Sequence, residues 1–103
     1  MTRFGLYGKI VVHPGRRDAM VAILLEAAAL LQSDPACELY IVNAAAAEPD
    51  VIWVTEVWSS REAHKASLGR EDIGALIQRG MPLIAGGERI DVVPMGGKGI
   101  SGG

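Results

Sequence analysis

A strand that is apolar on both faces runs directly into a helix between Val51 and Leu68, in the sequence VIWVTEVWSSREAHKASL. Successive side chains of a strand point to opposite faces. One face therefore carries Val51, Trp53, Thr55 and Val57, and the other carries Ile52, Val54, Glu56 and Trp58. Neither face is polar enough to lie against water. We expect the chain's own helices to cover one face, and a second sheet, a second subunit or a ligand cavity to cover the other.

The bulk composition predicts one domain with a subunit interface. The chain has 103 residues, of which 50% are hydrophobic and only 5% are aromatic. This length suits a single domain, and so much aliphatic content exceeds what one small core hides, so we expect a subunit interface. The formal net charge of -2 argues against the clustered Lys and Arg of a phosphate-binding surface. We therefore expect no nucleic-acid partner.

Cysteine usage and hydropathy favour a cytoplasmic location. The single Cys37 excludes an internal disulfide and fits a reducing compartment. The segment after Met1 lacks the apolar core of a signal peptide. The longest apolar run, from Ala19 to Leu25, is too short to span a bilayer, so no membrane partner is expected.

Periodicity and turn residues predict four strands and three helices. The strands are predicted at 6–12, 37–43, 51–58 and 88–94, and two of the helices at 16–32 and 71–80. The remaining helix is opened by a capping box of Ser59 and Glu62 and ends at Gly69. The first helix carries the apolar stripe Met20, Ile23, Leu24, Ala27, Leu30 and Leu31. Pro82 is expected to kink or restart the chain after the last helix.

This order of elements is that of the α+β, ferredoxin-like split βαβ fold. In this topology an antiparallel four-stranded sheet carries its helices on one face only. Residues 1–95 are predicted to form the single domain, and residues 96–103 a glycine-rich tail that is mobile unless a partner holds it. The bare face of the sheet includes the second apolar face of the third strand, which must be covered by something other than the chain's own helices.

Three short motifs give this chain a family resemblance. They are Pro14-Gly15 after the first strand, Glu56-Val57-Trp58 at the end of the third, and Glu62-Ala63-His64 at the start of the next helix. Together they resemble the antibiotic biosynthesis monooxygenase family, whose members are often described as quinol monooxygenases. The resemblance implies a homodimeric α/β barrel with a cavity between each sheet and its helices. It also implies oxygenation of a phenolic or quinol-like aromatic by dioxygen, with no flavin, haem or metal cofactor.

The sequence departs from the family pattern inside the helix. Many members carry a histidine one turn further along, where this chain has Ser67 or Leu68. Haem-degrading relatives use that histidine as an iron ligand, together with an asparagine near the first strand, which is lacking here. His64 would take the place of that iron ligand only if the helix were rotated or the pocket had a different shape. This departure weakens a haem-degrading interpretation.

The candidate catalytic residues are His64 and Glu56. Cofactor-free oxygenation needs a substrate that gives an electron to dioxygen, which a phenolate does better than a phenol, so the site needs a base and must exclude water. A histidine near its ordinary pKa, or a carboxylate with a raised pKa, can be that base. The alternatives are a solvent-facing or capping role for His64, and a structural Glu56 bonded to backbone amides or to Arg89.

The candidate substrate-binding residues are aromatic. Trp58 and Trp53 could form the flat wall of a cavity or belong to the core, and Trp58 is favoured because it shares a face with Glu56. The hydroxyls of Tyr7 and Tyr40 could meet a ligand oxygen or a backbone partner. No metal site is predicted, because the two histidines are far apart in sequence and no paired-ligand motif is present.

The sequence thus favours a cofactor-independent monooxygenase that oxidises a small quinol-like or polycyclic phenolic aromatic with dioxygen. The alternative is a non-catalytic small-molecule-binding or stress-response dimer of the same fold, since this fold has many functions. Haem degradation is the third interpretation.

Overall fold

A computed structural model describes residues 2–100 as an antiparallel four-stranded sheet with three helices packed on one face. The elements are strand β1 (Phe4–Val12), helix α1 (Arg17–Leu31), strands β2 (Cys37–Ala44) and β3 (Val51–Trp58), helices α2 (Arg61–Leu68) and α3 (Glu71–Gly80), a 3-10 turn (Met81–Leu83) and strand β4 (Ile84–Val92). The strand order is β2-β3-β1-β4, with every neighbouring pair antiparallel. The predicted α+β, ferredoxin-like fold is confirmed. Residues 101–103 of the predicted tail lie outside the described residues.

The last strand differs most from its prediction. It begins at Ile84 and ends at Val92, whereas the sequence indicated residues 88–94. Gly86 and Gly87 weaken the strand signal, yet both pair with β1. Pairing across the sheet therefore overrides the low strand propensity of glycine.

The cap of α2 lies one residue later than predicted. The Ser60 hydroxyl accepts a hydrogen bond from the Ala63 amide at 3.1 Å. The backbone N–H of Ser59 instead donates to the Ala36 carbonyl oxygen at 2.8 Å. The prediction that Ser59 caps this helix is wrong, because Ser59 still belongs to the connection between strand and helix.

The core lies between the sheet and the helices. Strand β3 turns Ile52, Val54 and Trp58 toward the helices, where all three are buried. Helix α1 buries Met20, Ile23, Ala27 and Leu31, which are members of the predicted stripe. No helix within residues 2–100 is long and apolar enough to cross a membrane.

The opposite side of the sheet, here named the helix-free face, carries Tyr7, Ile41, Trp53 and Ile90. Tyr7, Ile41 and Ile90 are exposed large hydrophobic residues, and Trp53 is half-buried. Lys9 lies over the Trp53 ring, with its Nζ 5.7 Å from the ring centre. The helix-free face is therefore aromatic and aliphatic rather than strongly charged.

Arg17 fastens the loop between β2 and β3 to the start of α1. Its Nη1 donates to the carbonyl oxygens of Ala45 and Glu48 at 3.1 and 2.8 Å. The turn before α1 is tied to the same loop, since the Gly15 amide donates to Asp50 Oδ1 at 3.1 Å. These bonds fix the position of the loop before β3, the strand that carries the candidate carboxylate, relative to the start of α1.

Candidate functional site

A cavity of about 220 Å³ lies between the sheet and the three helices. Its lining is apolar except at one end, where the side chains of Tyr40, Glu56, His64 and Ser67 reach it. About 150 Å³ of apolar cavity is enough to hold benzene, so this cavity can accept an aromatic ring with substituents. A small number of polar groups in an apolar cavity is typical of a ligand site.

Glu56 reaches the cavity from the middle of the sheet. It lies on the helix-facing side of β3, between Leu6 of β1 and Tyr40 of β2. Its Oε1 accepts a hydrogen bond from Trp58 Nε1 at 2.9 Å. Burial raises the pKa of Glu56, and the indole hydrogen bond and the positive charge of Arg89 oppose this rise without cancelling it. The site therefore favours the protonated carboxyl more than water does.

His64 reaches the cavity from α2 and is only 7% exposed. Its ring packs against Phe4, with ring centres 5.2 Å apart, and meets Trp58 edge-on at 5.5 Å. Burial lowers the pKa of His64, and the positive charge of Arg89 lowers it further. The imidazole is thus held neutral, the form that can accept a proton.

The two side chains face each other, with His64 Nε2 3.9 Å from Glu56 Oε1. This separation would count as an ion pair if both groups were charged, but burial shifts the pKa of each toward its neutral form. The distance is also too long for a direct hydrogen bond. One hydroxyl oxygen can lie within hydrogen-bond reach of both atoms. Such a hydroxyl could donate its proton to Nε2.

The sequence profile of the antibiotic biosynthesis monooxygenase family matches residues 3–79. This chain belongs to the antibiotic biosynthesis monooxygenase family. A crystal structure from Chloroflexus aurantiacus J-10-fl, named as a candidate antibiotic biosynthesis monooxygenase, is 47% identical to it with a TM-score of 0.87. That likeness covers 96% of this chain and 99% of the other. The family prediction made from three short motifs is confirmed.

More distant members of the comparison support the fold alone. A candidate antibiotic biosynthesis monooxygenase from Caulobacter crescentus CB15 is 21% identical with a TM-score of 0.80, over 94% of this chain and 92% of the other. A protein from Pseudomonas aeruginosa is 16% identical with a TM-score of 0.83, over 93% and 97%. A search of curated proteins found no match.

In this chain, four of the six predicted site residues meet in the cavity: His64, Glu56, Trp58 and Tyr40. Burial raises the pKa of Tyr40, and the nearby Glu56 adds to the rise, so the phenol keeps its proton and can donate it in a hydrogen bond. Its position beside Glu56 follows from the pairing of β2 with β3.

Tyr7 and Trp53 do not line the cavity. Both lie on the helix-free face, because Tyr7 pairs with Thr55, and Trp53 points away from its neighbours Ile52 and Val54. The prediction that these two side chains share a pocket with His64 is corrected by the alternation of side chains along β1 and β3.

Most of the cavity wall was not among the predicted site residues. It comes from the apolar sides of the helices and from two isoleucines of the sheet: Met20, Ile23, Leu24, Ala27, Leu31, Leu68, Ile73, Leu76, Ile77, Met81, Ile10 and Ile84. The helical spacing of the apolar residues in α1 and α3 is the sequence pattern that could have predicted this part of the wall. No sequence pattern indicated that Ser67 lines the cavity. The Ser67 hydroxyl donates to the His64 carbonyl oxygen at 2.6 Å.

A charged cluster of Arg61, Arg89 and Asp91 lies beside the histidine. Arg89 Nε donates to Asp91 Oδ1 at 2.7 Å, and Arg61 Nη1 to Asp91 Oδ2 at 3.2 Å. The guanidinium groups of Arg61 and Arg89 lie over Phe4, at 4.5 and 5.6 Å from its ring centre, respectively. Arg89 therefore pairs with Asp91 rather than with Glu56, and it acts on the cavity through its charge.

Metal binding and thiol chemistry have little support in the described residues. Within residues 2–100, no three His, Cys, Asp or Glu side chains come together in a way that could hold a metal ion. Burial raises the pKa of the Cys37 thiol to about 11, which disfavours the reactive thiolate.

Proposed function

We propose that this protein is a cofactor-independent monooxygenase that oxidises a small quinol-like or phenolic aromatic with dioxygen. The observation that carries the proposal is the facing pair of His64 Nε2 and Glu56 Oε1, 3.9 Å apart at the polar end of an apolar cavity. Membership of the antibiotic biosynthesis monooxygenase family supports it.

In this proposal a hydroxyl of the substrate occupies the gap between the two side chains. It donates its proton to Nε2 of the neutral His64 and accepts a hydrogen bond from the protonated Glu56 carboxyl. Trp58 forms a flat wall beside the ring, and the Tyr40 phenol is available to donate to a second substrate oxygen. The phenolate formed in this way is the species that gives an electron to dioxygen, and the apolar wall keeps water away from the radical intermediates.

The overall reaction balances without an external reductant when the substrate is a quinol. One quinol and one dioxygen give one hydroxyquinone and one water. One oxygen atom forms the new C–O bond on the ring, and the other leaves as water with two hydrogens that the quinol has lost. The substrate supplies all four electrons, so the protein must supply only binding, a base and exclusion of water.

We also propose a cytoplasmic homodimer that buries the helix-free face of each subunit. Support comes from Tyr7, Ile41 and Ile90, which together expose apolar surface on the same side of the sheet. Exposed apolar patches of this kind mark interfaces more often than free surface.

Oxygen uptake tests the proposed reaction. Metal-stripped protein is supplied with a panel of hydroquinones, naphthohydroquinones and anthrones, and the wild type is compared with His64→Ala. His13→Ala is the matched control, because His13 is exposed at the end of β1 and does not line the cavity. Loss of a general base should slow the reaction by about 10²–10⁴-fold in His64→Ala, with no change in His13→Ala.

Equal rates for wild type and His64→Ala would remove the histidine from the reaction. Binding of the panel without any oxygen uptake would instead favour the alternative, a small-molecule-binding protein of the same fold.

A further inference from the structure

The cavity meets the solvent at an apolar mouth. Three of the residues that line it are also exposed: Leu68 is 47% exposed, Ile77 42% and Met81 60%. The other lining residues are buried or half-buried. A group of side chains that both line the cavity and meet solvent marks its opening. These three residues, here named the lip, therefore surround the mouth.

The lip joins two neighbouring elements close to the polar end of the cavity. Leu68 is the last residue of α2, Ile77 belongs to α3, and Met81 begins the 3-10 turn that follows α3. Ile77 and Met81 are spaced i and i+4 along helical backbone, so their side chains are neighbours. Leu68 has the same spacing from His64. A ligand held at His64 thus has the mouth beside it.

The helices expose few other large apolar side chains. Among the described residues of the helices and the 3-10 turn, the only other one is Leu25 on α1, which does not line the cavity. Exposed apolar side chains gathered at one place indicate that something covers them. Because the lip surrounds an opening with empty space behind it, a slender chain that passes through the mouth contacts all three side chains. A flat protein surface would leave that space unfilled.

The size of the cavity also directs a chain to the lip. A volume of about 220 Å³ accepts one aromatic ring with small substituents, since about 150 Å³ holds benzene. A chain of several carbons on that ring therefore has to leave through the mouth. The lip offers it only apolar contacts, and the flexible thioether of Met81 can adapt to its path.

We infer that the lip of Leu68, Ile77 and Met81 is a binding subsite for an aliphatic chain. The ligand class is then an amphiphile, with a polar ring inside the cavity and a saturated chain across the mouth. The inference rests on the proposed function only in placing a hydroxyl-bearing ring at the polar end. It adds the chain, which the oxygenation chemistry does not require, and it does not depend on turnover.

A chain-length series tests the subsite. The probes are methyl-, propyl-, pentyl- and heptylhydroquinone, and their affinities are measured by calorimetry under nitrogen so that no oxidation occurs. The variants are Met81→Gln and the double variant Ile77→Gln/Met81→Gln. Leu25→Gln is the matched control, because it makes an exposed aliphatic residue polar away from the cavity. Glutamine is a good helix former, so all of these variants should fold.

We expect longer chains to bind more tightly only when the lip is apolar. A fully buried methylene strengthens binding about fourfold, and one covered on a single side should contribute about twofold. The wild type and Leu25→Gln should therefore bind heptylhydroquinone about tenfold or more tightly than methylhydroquinone. In the double variant this ratio should fall to about threefold or less, with Met81→Gln between the two. Affinity for methylhydroquinone should change little, since a methyl group does not reach the lip.

Equal affinity of the wild type for methyl- and heptylhydroquinone would overturn the inference, as would a wild type that binds none of the series. A gain with chain length that survives in the double variant would overturn it as well. So would a double variant with a lower mass in solution than the wild type, because a second copy of the chain would then be what covers the lip.

The two proposals fail separately. A gain with chain length that the double variant loses, in a protein that consumes no oxygen with any quinol, would sustain the subsite and refute the oxygenase. Oxygen uptake with methylhydroquinone by a protein whose affinity ignores chain length would do the opposite.

Discussion

The imidazole of His64 and the carboxyl of Glu56 face each other across 3.9 Å, although one belongs to a helix and the other to a central strand of the sheet. Trp58 joins them, since its indole donates to Glu56 Oε1 and its ring edge meets the imidazole. Three residues thus share one small volume in which solvent is nearly excluded. A change at Trp58 should therefore alter the pKa of Glu56, which the indole hydrogen bond lowers.

Replacing Glu56 with glutamine should change how stability depends on pH. Because the folded-state pKa is raised above 4.5, ionisation costs the folded state more than the unfolded one, and wild-type stability falls as pH rises through this window. Glu56→Gln cannot ionise, so its stability relative to the wild type should grow from pH 4 toward neutral pH. Urea unfolding at a series of pH values measures this difference. If the free energies of unfolding of the two proteins ran parallel with pH, the raised pKa of Glu56 would be contradicted.

The acid limb of the pH–rate profile should have its midpoint below pH 6.5, because burial and Arg89 both lower the pKa of His64 and the base must be neutral. Arg89→Gln should move that midpoint upward, and the movement should shrink in high salt, since Arg89 is partly exposed. Arg79→Gln, which removes an exposed arginine paired with Glu26, is the control. A wild-type midpoint above pH 6.5 would rule out His64 as the titrating base.

Trp58→Phe should destabilise the fold by about 1–3 kcal/mol, because it removes the hydrogen-bond donor of a largely buried carboxyl. It should also raise the pKa of Glu56 further, since the indole hydrogen bond lowers it. Trp53→Phe makes the same change on the helix-free face and should cost less. Chemical denaturation measures both variants, and equal losses would show that the hydrogen bond to Glu56 contributes nothing.

Arg17→Met should destabilise the protein by about 1–3 kcal/mol, because the carbonyl oxygens of Ala45 and Glu48 lose a charged donor. Arg16→Met alters the exposed neighbouring arginine and should have little effect. Amide hydrogen exchange locates the change: the Ala45 N–H, which donates to the Val51 carbonyl oxygen, should exchange faster only in the Arg17 variant. Unaltered exchange at Ala45 would mean that the loop does not depend on Arg17.

Mass in solution tests the proposed pairing of helix-free faces. The wild type should run at twice the 10.9 kDa of one chain, and Ile90→Asp should shift it toward the single-chain mass by placing a charge on that face. Leu25→Asp, which adds the same charge on the exposed side of α1, should leave the mass unchanged. A wild type that stays folded at the mass of one chain in micromolar solution would refute the dimer.

Local patterns were enough to predict the fold. The third strand runs from Val51 to Trp58 as predicted, and the stripe of α1 packs inward, because both follow from the alternation or helical spacing of apolar residues. The start of β4 at Ile84 was missed, since its glycines carry no such pattern and only the neighbouring strand brings them into the sheet.

The site could be predicted only in part. The family motif placed Glu56 and His64 near each other, and their shared strand face placed Trp58 with the carboxylate. Tyr7 was misplaced, although alternation along β1 puts it on the face of Gly5 and Lys9, opposite the more apolar face of Phe4, Leu6, Ile10 and Val12. The helical walls of the cavity depend on how α1 and α3 pack, which is a property of the whole fold.

Both outer strands of the sheet are poor templates for another strand. β2 carries a register irregularity between Cys37 and Leu39, and β4 places Glu88, Arg89 and Asp91 along its length. An irregular hydrogen-bond ladder and charges on an edge strand discourage edge-to-edge pairing of sheets, the route by which exposed edges grow into fibrils. The homodimer proposed above would instead bring two copies together broadside, and a contact of that kind closes on itself after a single partner has joined.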